Sequence, residues 1–321
     1  MIPAEWVVAA AERLSNRIEI TPLTYDPKLN IFLKWENHQQ TGSFKLRGAL
    51  NKVLALEPWE QERGLVAVSA GNHGLGVAYA AKQVHSKATV FITESAVENK
   101  VKALQQNGVE VIKIYGDFAA AEKAAQAYAI HKGATWVSPY NDPQVIAGQA
   151  TIGLEIVQQM PSFDASVFLV PLGAGSLIAG VGIGLKQLGK SVRLIGIQAE
   201  ASSYFYSLFH YGTKKGVIET DSLADGLKGG VEANSITIPL VRSMIDDCIL
   251  VKEEDIAYAI AYAWYHYHEI IEGSAAVTLA AILTGAIKEK PSLLVISGGN
   301  IEPELHRKIC ETWKPEMDLT G

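Results

Sequence analysis

The chain has 321 residues, 48% hydrophobic and 19% charged, which supplies a large core and excludes a disordered chain. Length alone predicts two domains. The 28 basic and 34 acidic residues give a formal net charge of −6, and no basic run exceeds two residues, which argues against nucleic acid or an anionic membrane as partner. Cys248 and Cys310 have neither C-x-x-C nor zinc-ligand spacing, and so fit a reducing, cytoplasmic compartment.

In chain order, Glu5 precedes a short apolar run at 6–11 closed by Glu12 and Arg13, the pattern of an amphipathic helix and not of a signal peptide. Short β-branched runs then predict strands at 31–35, 65–68, 88–92, 110–114, 167–170, 193–198, 248–251 and 293–296. Between them lie stretches of helical period, for example 119–131 and 253–268. Segment 165–185 carries no charge, yet Pro171 and its glycines break it into a buried strand, a turn and a helix rather than a membrane span. Nearly wholly apolar strands separated by helices imply parallel sheets covered on both faces. In such sheets ligands sit where strands end and helices begin, and four of these junctions are polar and glycine-rich.

The first junction is TGSFKLRGAL at 41–50, which places Lys45 in the first turn of a helix. Lys45 is either an ordinary solvated lysine or one whose amine pKa is lowered by the positive helix end, so that it condenses with an aldehyde. The second is SAGNHGLG at 69–76, a strand-to-helix turn whose Ser69, Gly71, Asn72 and Gly74 could also receive a carboxylate. His73 reads as a structural hydrogen-bonder. The third is PLGAGSLIAG at 171–180, with Gly173, Gly175 and Ser176 suited to cradling a phosphate. Ile178 stands where a dinucleotide fingerprint needs its third glycine. The fourth is SGGN at 297–300, which puts Ser297 at the end of the last strand. No zinc, EF-hand or paired-histidine metal motif occurs; His266 and His268, two apart on the expected helix, point to different faces.

Taken together and in order, these motifs resemble the fold type II pyridoxal-phosphate enzymes, specifically the threonine/serine dehydratase and serine racemase family. The resemblance runs from LKWEN at 33–37 to SGGN at 297–300. It implies an α/β fold, tryptophan synthase beta-like, of two doubly wound domains with mostly parallel sheets. A large domain would comprise 1–59 and 143–321, and a small inserted domain 60–142. It implies pyridoxal 5′-phosphate as cofactor, with Lys45 as the Schiff-base lysine and Phe44 beside the ring. Asn72 would meet the 3′-oxygen, and Ser69, Ala70, Gly71, Asn72 and His73 would surround the substrate carboxylate. Gly173, Ala174, Gly175, Ser176 and Leu177 would form the phosphate cup, Ala174 and Ser176 being departures from a more glycine-rich loop. Ser297 would face the pyridine nitrogen, and Glu272 in IEGSAA would lie near the ring.

The activity implied is dehydration of a small 3-hydroxy amino acid, threonine or serine, to a 2-oxo acid and ammonia. The chain would be a homo-oligomer, a dimer, and a catalytic unit without a C-terminal amino-acid-sensing domain. Racemisation of serine and elimination from a substrate such as 3-hydroxyaspartate are alternatives within the family, and a non-catalytic phosphate-ligand-binding protein is the alternative outside it. Racemising relatives carry a second serine where this chain has Ala70, which favours elimination. Family members that bind a divalent cation use a Glu matched by Glu200 and an acidic residue matched by Tyr206, so cation dependence is expected to be weak or altered.

Overall fold

The structure is a computed structural model and describes residues 2–160, 162, 165–190 and 192–314. Among these residues the strands are β1 (Leu23–Asp26), β2 (Ile31–Trp35), β3 (Leu65–Val68), β4 (Ala88–Thr93), β5 (Glu110–Ile114), β6 (Thr135–Trp136), β7 (Val167–Pro171), β8 (Arg193–Ala199), β9 (Asp247–Val251) and β10 (Ser292–Ile296). The helices are α1 (Ala4–Leu14), α2 (Lys45–Leu54), α3 (Pro58–Glu62), α4 (Asn72–Gln83), α5 (Glu98–Gln106), α6 (Phe118–Lys132), α7 (Pro143–Gln159), α8 (Ser176–Gln187), α9 (Tyr204–Tyr211), α10 (Thr237–Met244), α11 (Glu253–Tyr262), α12 (Gly273–Leu283) and α13 (Pro303–Thr312). None of them is long and apolar enough to cross a membrane.

Two sheets result. The larger has the order β1-β2-β10-β7-β8-β9, parallel except for the β1–β2 pair, and the smaller is the all-parallel β5-β4-β3-β6. Each is covered on both faces, as apolar parallel strands require. In the larger, Ile31, Leu33, Leu169, Ile197 and Leu294 pack with α11 and α12, while Phe168, Val170, Leu194 and Val295 pack with α7 and α8. In the smaller, Val66, Val68 and Phe91 pack with Ala121, Ala125 and Ala129 of α6, and Leu65, Ala67 and Val90 pack with α4, α5 and α2.

Three features differ from the expectation. β1 is an antiparallel edge strand, too short and mixed to show a period, and is held as a hairpin by Asp26 Oδ1 accepting from the Lys28 and Leu29 amides at 2.7 and 3.1 Å. β6 has only two residues. The helix expected over 253–268 ends at Tyr262, and Ala263–Tyr267 form a π turn with His268 at φ 57°. Widening the turn lets its aromatic side chains find separate partners: His266 stacks on Tyr262, Tyr265 donates to the Cys310 carbonyl, and Tyr267 donates to Asp26.

Helix α2 lies between the two sheets. Leu46, Ala49, Leu50 and Val53 join the core of the smaller sheet, whereas Arg47 turns the other way. Its guanidinium is completely buried and donates to Glu36 Oε2 and Oε1 at 2.7 and 2.8 Å and to Glu155 Oε1 and Oε2 at 2.5 and 2.9 Å. Lys34, also fully buried, donates to Glu155 Oε2 at 2.7 Å and to the Thr21 carbonyl. Two cations and two carboxylates thus neutralise one another. Burial would push the Glu36 carboxyl up, but Arg47 overrides it and holds the group below its ordinary value.

Arg47→Met should leave Glu36 and one side of Glu155 without their hydrogen-bonded cation, at a cost of about 3–5 kcal/mol. The check is the urea midpoint, expected to fall with little change in slope. An unchanged midpoint contradicts this account of how α2 is anchored.

Candidate active site

The ends of β3, β7 and β10 and the head of α2 open on one cavity of about 1150 Å³. Lys45 reaches it because the preceding loop is zipped to the end of β10. The Phe44 amide donates to the Ser297 carbonyl at 3.0 Å, Ser43 pairs with Gly298, and the Gly299 amide donates to Gly42 at 2.9 Å. The first and fourth sequence junctions are therefore one structure. Lys45 Nζ lies 2.7 Å from the Pro139 carbonyl oxygen and 5.2 Å from the centre of the Phe44 ring. Burial lowers its amine to about 8, with Glu272 pulling in the opposite direction. The neutral, nucleophilic form is accessible near neutral pH.

Opposite stands the loop after β7. Gly175 adopts φ +93°, a left-handed conformation that suits glycine, and a Cβ there would meet Val241 Cγ2 at 2.7 Å. No side chain caps α8, so its first-turn amides are unpaired within the helix. Gly173, Ala174, Gly175, Ser176 and Leu177 all line the cavity. Such an end is a ready anion site.

The loop after β3 is a second uncapped helix start. Gly71 precedes α4 without a capping side chain, and its amide donates to Ser69 Oγ at 3.1 Å. Ser69, Ala70, Gly71, Asn72 and His73 line the same cavity. His73 behaves as the structural group expected from sequence. Its Nε2 donates to the Val137 carbonyl at 2.8 Å, Nδ1 is buried without a partner, and burial with nearby Lys45 lowers its pKa to about 3. The imidazole is neutral.

Glu272 and Ser297 complete the ring of residues around the cavity. Burial, with Asp225 adding to it, pushes the Glu272 carboxyl up to about 7, although Asn72 Nδ2 donates to its Oε1 at 2.7 Å. Ser297, 2% exposed, is an uncharged hydroxyl at the strand end. The site residues expected from the sequence thus meet at one place, except Glu200 and Gly74, which do not line the cavity. Glu200 begins a short 3₁₀ turn after β8, Tyr206 packs its ring on His210 at 4.4 Å, and no cluster of three metal-ligating side chains occurs among the described residues.

Sequence reasoning did not single out Pro139, Asn300, or the pair Lys100 and Asp225, which line the cavity and bond at 2.7 Å. Pro139 acts through a carbonyl and leaves no sequence signal. Asn300 lay inside the fourth motif, and its position just past a strand end was the available clue. The donor set fits a phosphate-bearing aldehyde: uncapped amides at a glycine-shaped helix end for the phosphate, and a desolvated amine for the aldehyde.

Comparison with known proteins agrees. Residues 14–298 match the family described as pyridoxal-phosphate dependent enzyme. An L-threonine ammonia-lyase of Thermotoga maritima is 39% identical over 316 residues, covering 96% of this chain and 78% of that protein. The catabolic L-threonine dehydratase of Escherichia coli K12 is 36% identical, covering 92% of both chains. Among solved structures, serine racemase from Dictyostelium discoideum superposes with a TM-score of 0.84 at 31% identity, covering 94% of this chain and 99% of that one.

Glu272→Gln tests the buried carboxyl. A group raised to about 7 in the fold stabilises the protein below its unfolded value of 4.5 and loses that contribution as pH rises through 7. The variant's thermal stability relative to the parent should therefore be greatest above pH 7 and decline toward pH 4.5. A difference in Tm independent of pH contradicts it.

Proposed function

Because the chain belongs to the pyridoxal-phosphate dependent enzyme family, we propose that it is an ammonia-lyase that converts a small 3-hydroxy amino acid, L-threonine or L-serine, to a 2-oxo acid and ammonia. The single observation that carries the reading is Lys45, a desolvated amine at a helix head that faces an uncapped, glycine-shaped helix end across one cavity. The ammonia-lyase and dehydratase relatives, alike over nearly the whole chain, support it.

When bound, pyridoxal 5′-phosphate supplies an aldehyde for amines and an electron-withdrawing ring that stabilises charge left at Cα. The chain's residues do the rest. The amides of Gly173 to Leu177 would hold the phosphate, Phe44 would pack beside the ring, and Asn72 would donate to the ring oxygen. The amides at the head of α4, from Ser69 to His73, orient the substrate carboxylate. Lys45 Nζ, when free, would take the Cα proton, and the ammonium so formed would be a donor for the departing hydroxyl. Pro139 O, already hydrogen-bonded to Nζ, keeps the freed lysine in place. Ser297, an uncharged buried hydroxyl, would give the ring nitrogen a neutral partner that does not enforce its protonation.

The reading includes residues 60–142 as a small domain, with 1–59 and 143–321 as the large one, and a dimer in the cytoplasm. Cys248 and Cys310, both buried and unpaired, fit the reducing compartment. Serine racemisation is the second reading, favoured by the similarity to the Dictyostelium enzyme and opposed by Ala70. Ala70 lines the cavity with a methyl group, which cannot exchange a proton.

The protein should release ammonia and the matching 2-oxo acid from L-threonine or L-serine, with D-serine from L-serine slower by roughly 10²-fold or more. Ala70→Ser should raise the D-serine share. No ammonia from either amino acid contradicts the activity, and equal rates of D-serine and pyruvate formation contradict the preference.

A further inference from the structure

Asn300, in the loop after β10, has no task in the reading above. Its Nδ2 lies 2.8 Å from the Thr41 carbonyl oxygen and 2.7 Å from Asn72 Oδ1. A backbone carbonyl only accepts, so the Asn300 atom facing Thr41 is its NH₂ group. The Asn72 atom facing that NH₂ group is therefore its oxygen, and the Asn72 nitrogen points the other way, 2.7 Å from Glu272 Oε1. The Asn300 backbone N–H also pulls the pKa of that carboxyl down, so the three residues form one ring of interactions. Four segments meet here: the end of β10, the loop before α2, the head of α4, and the residue before α12. Gly42 makes the room, since at its φ of +74° a Cβ would stand 2.5 Å from Asn300 Oδ1.

The donors run in one direction, from Asn300 to Asn72 to Glu272. We propose that Asn300 is a positioning residue that fixes the flip of the Asn72 amide, so that Asn72 presents an N–H and not a carbonyl to the cofactor's ring oxygen. Nothing else in the ring distinguishes the two ends of the Asn72 amide as firmly, because Glu272 accepts when ionised and donates when protonated. Without Asn300 the amide turns over, and its carbonyl opposes the electron-rich ring oxygen. The inference rests on the proposed contact of Asn72 with the cofactor.

The test compares four cofactor-loaded proteins: parent, Asn300→Ala, Asn72→Ala and the double variant. The reading is the pH midpoint of the cofactor's visible absorption band, with ammonia release measured beside it. Asp225, Lys100 and Lys45, the other titratable groups that interact with Glu272, are the same in all four. Asn300→Ala should move the midpoint up by about one unit, a tenfold change in the ionisation constant, and lower kcat by about tenfold or more. In the Asn72→Ala background the same substitution should change the constant less than twofold, because it acts through Asn72. Asn300→Asp, of equal size but offering Asn72 an acceptor, should shift the band in the same direction, and it serves if the alanine variant does not fold. A residue with a merely structural role would lower Tm and leave the band unmoved, and that result overturns the inference. So does a shift that adds in full on Asn72→Ala, or an Asn72→Ala band identical to the parent's. A parent that binds the cofactor yet releases no ammonia sinks the proposed activity alone, because the band comparison still decides the role of Asn300.

Discussion

Two residues beyond Lys45 the chain buries a guanidinium, and the helix that carries both cannot turn without parting that charge from its carboxylates. Residues i and i+2 on a helix lie about 200° apart, so Arg47 faces the larger sheet while Lys45 faces the cavity. Glu36 follows β2 and Glu155 comes from α7, so one side chain ties the head of α2 to a strand of the larger sheet and to a helix that covers it. On its other face, Leu46, Ala49 and Leu50 tie the same helix to the smaller sheet. A buried ion cluster is weak evidence for stability, because its desolvation cost is large. Its effect here is geometric, since only one rotation of α2 satisfies all four charges, and that rotation delivers Lys45.

The cavity sorts charge by the same physics. Titratable groups around it are displaced toward their neutral forms by burial: the Lys45 amine and His73 imidazole down, the Glu272 carboxyl and Tyr140 phenol up. Against this background two uncapped helix starts present positive ends, one at Gly71 and one at Gly175. A ligand that carries anionic groups at two places and an aldehyde near the lysine complements the site. Neither helix end is occupied by a capping side chain of its own, which leaves the amides for such a ligand.

Much of this was legible in the sequence. Apolar strands such as Leu65–Val68 declare themselves by composition, and a glycine-rich polar stretch straight after one marks a ligand-binding junction on physical grounds. What was not legible depends on distant residues. β1 is a four-residue edge strand whose pairing is set by β2, β6 has two residues, and the π turn at Ala263–Tyr267 forms because its rings find partners far along the chain. Arg47 looked like an ordinary helix residue, since its carboxylates lie 11 and 108 positions away. Asn300 was inside a recognised motif, yet its bond to Asn72 spans 228 residues. Spacing identifies which residue types gather at strand ends; it does not specify which hydrogen of one amide faces which oxygen of another.

The central claim is that this architecture selects one amine, Lys45, for the cofactor's aldehyde. Reduction of the cofactor-loaded protein with borohydride, followed by peptide mapping, tests it directly. The pyridoxyl label should appear on Lys45 alone. Recovery on Lys34 in the buried ion cluster, or on Lys228 at the cavity wall, would contradict the account.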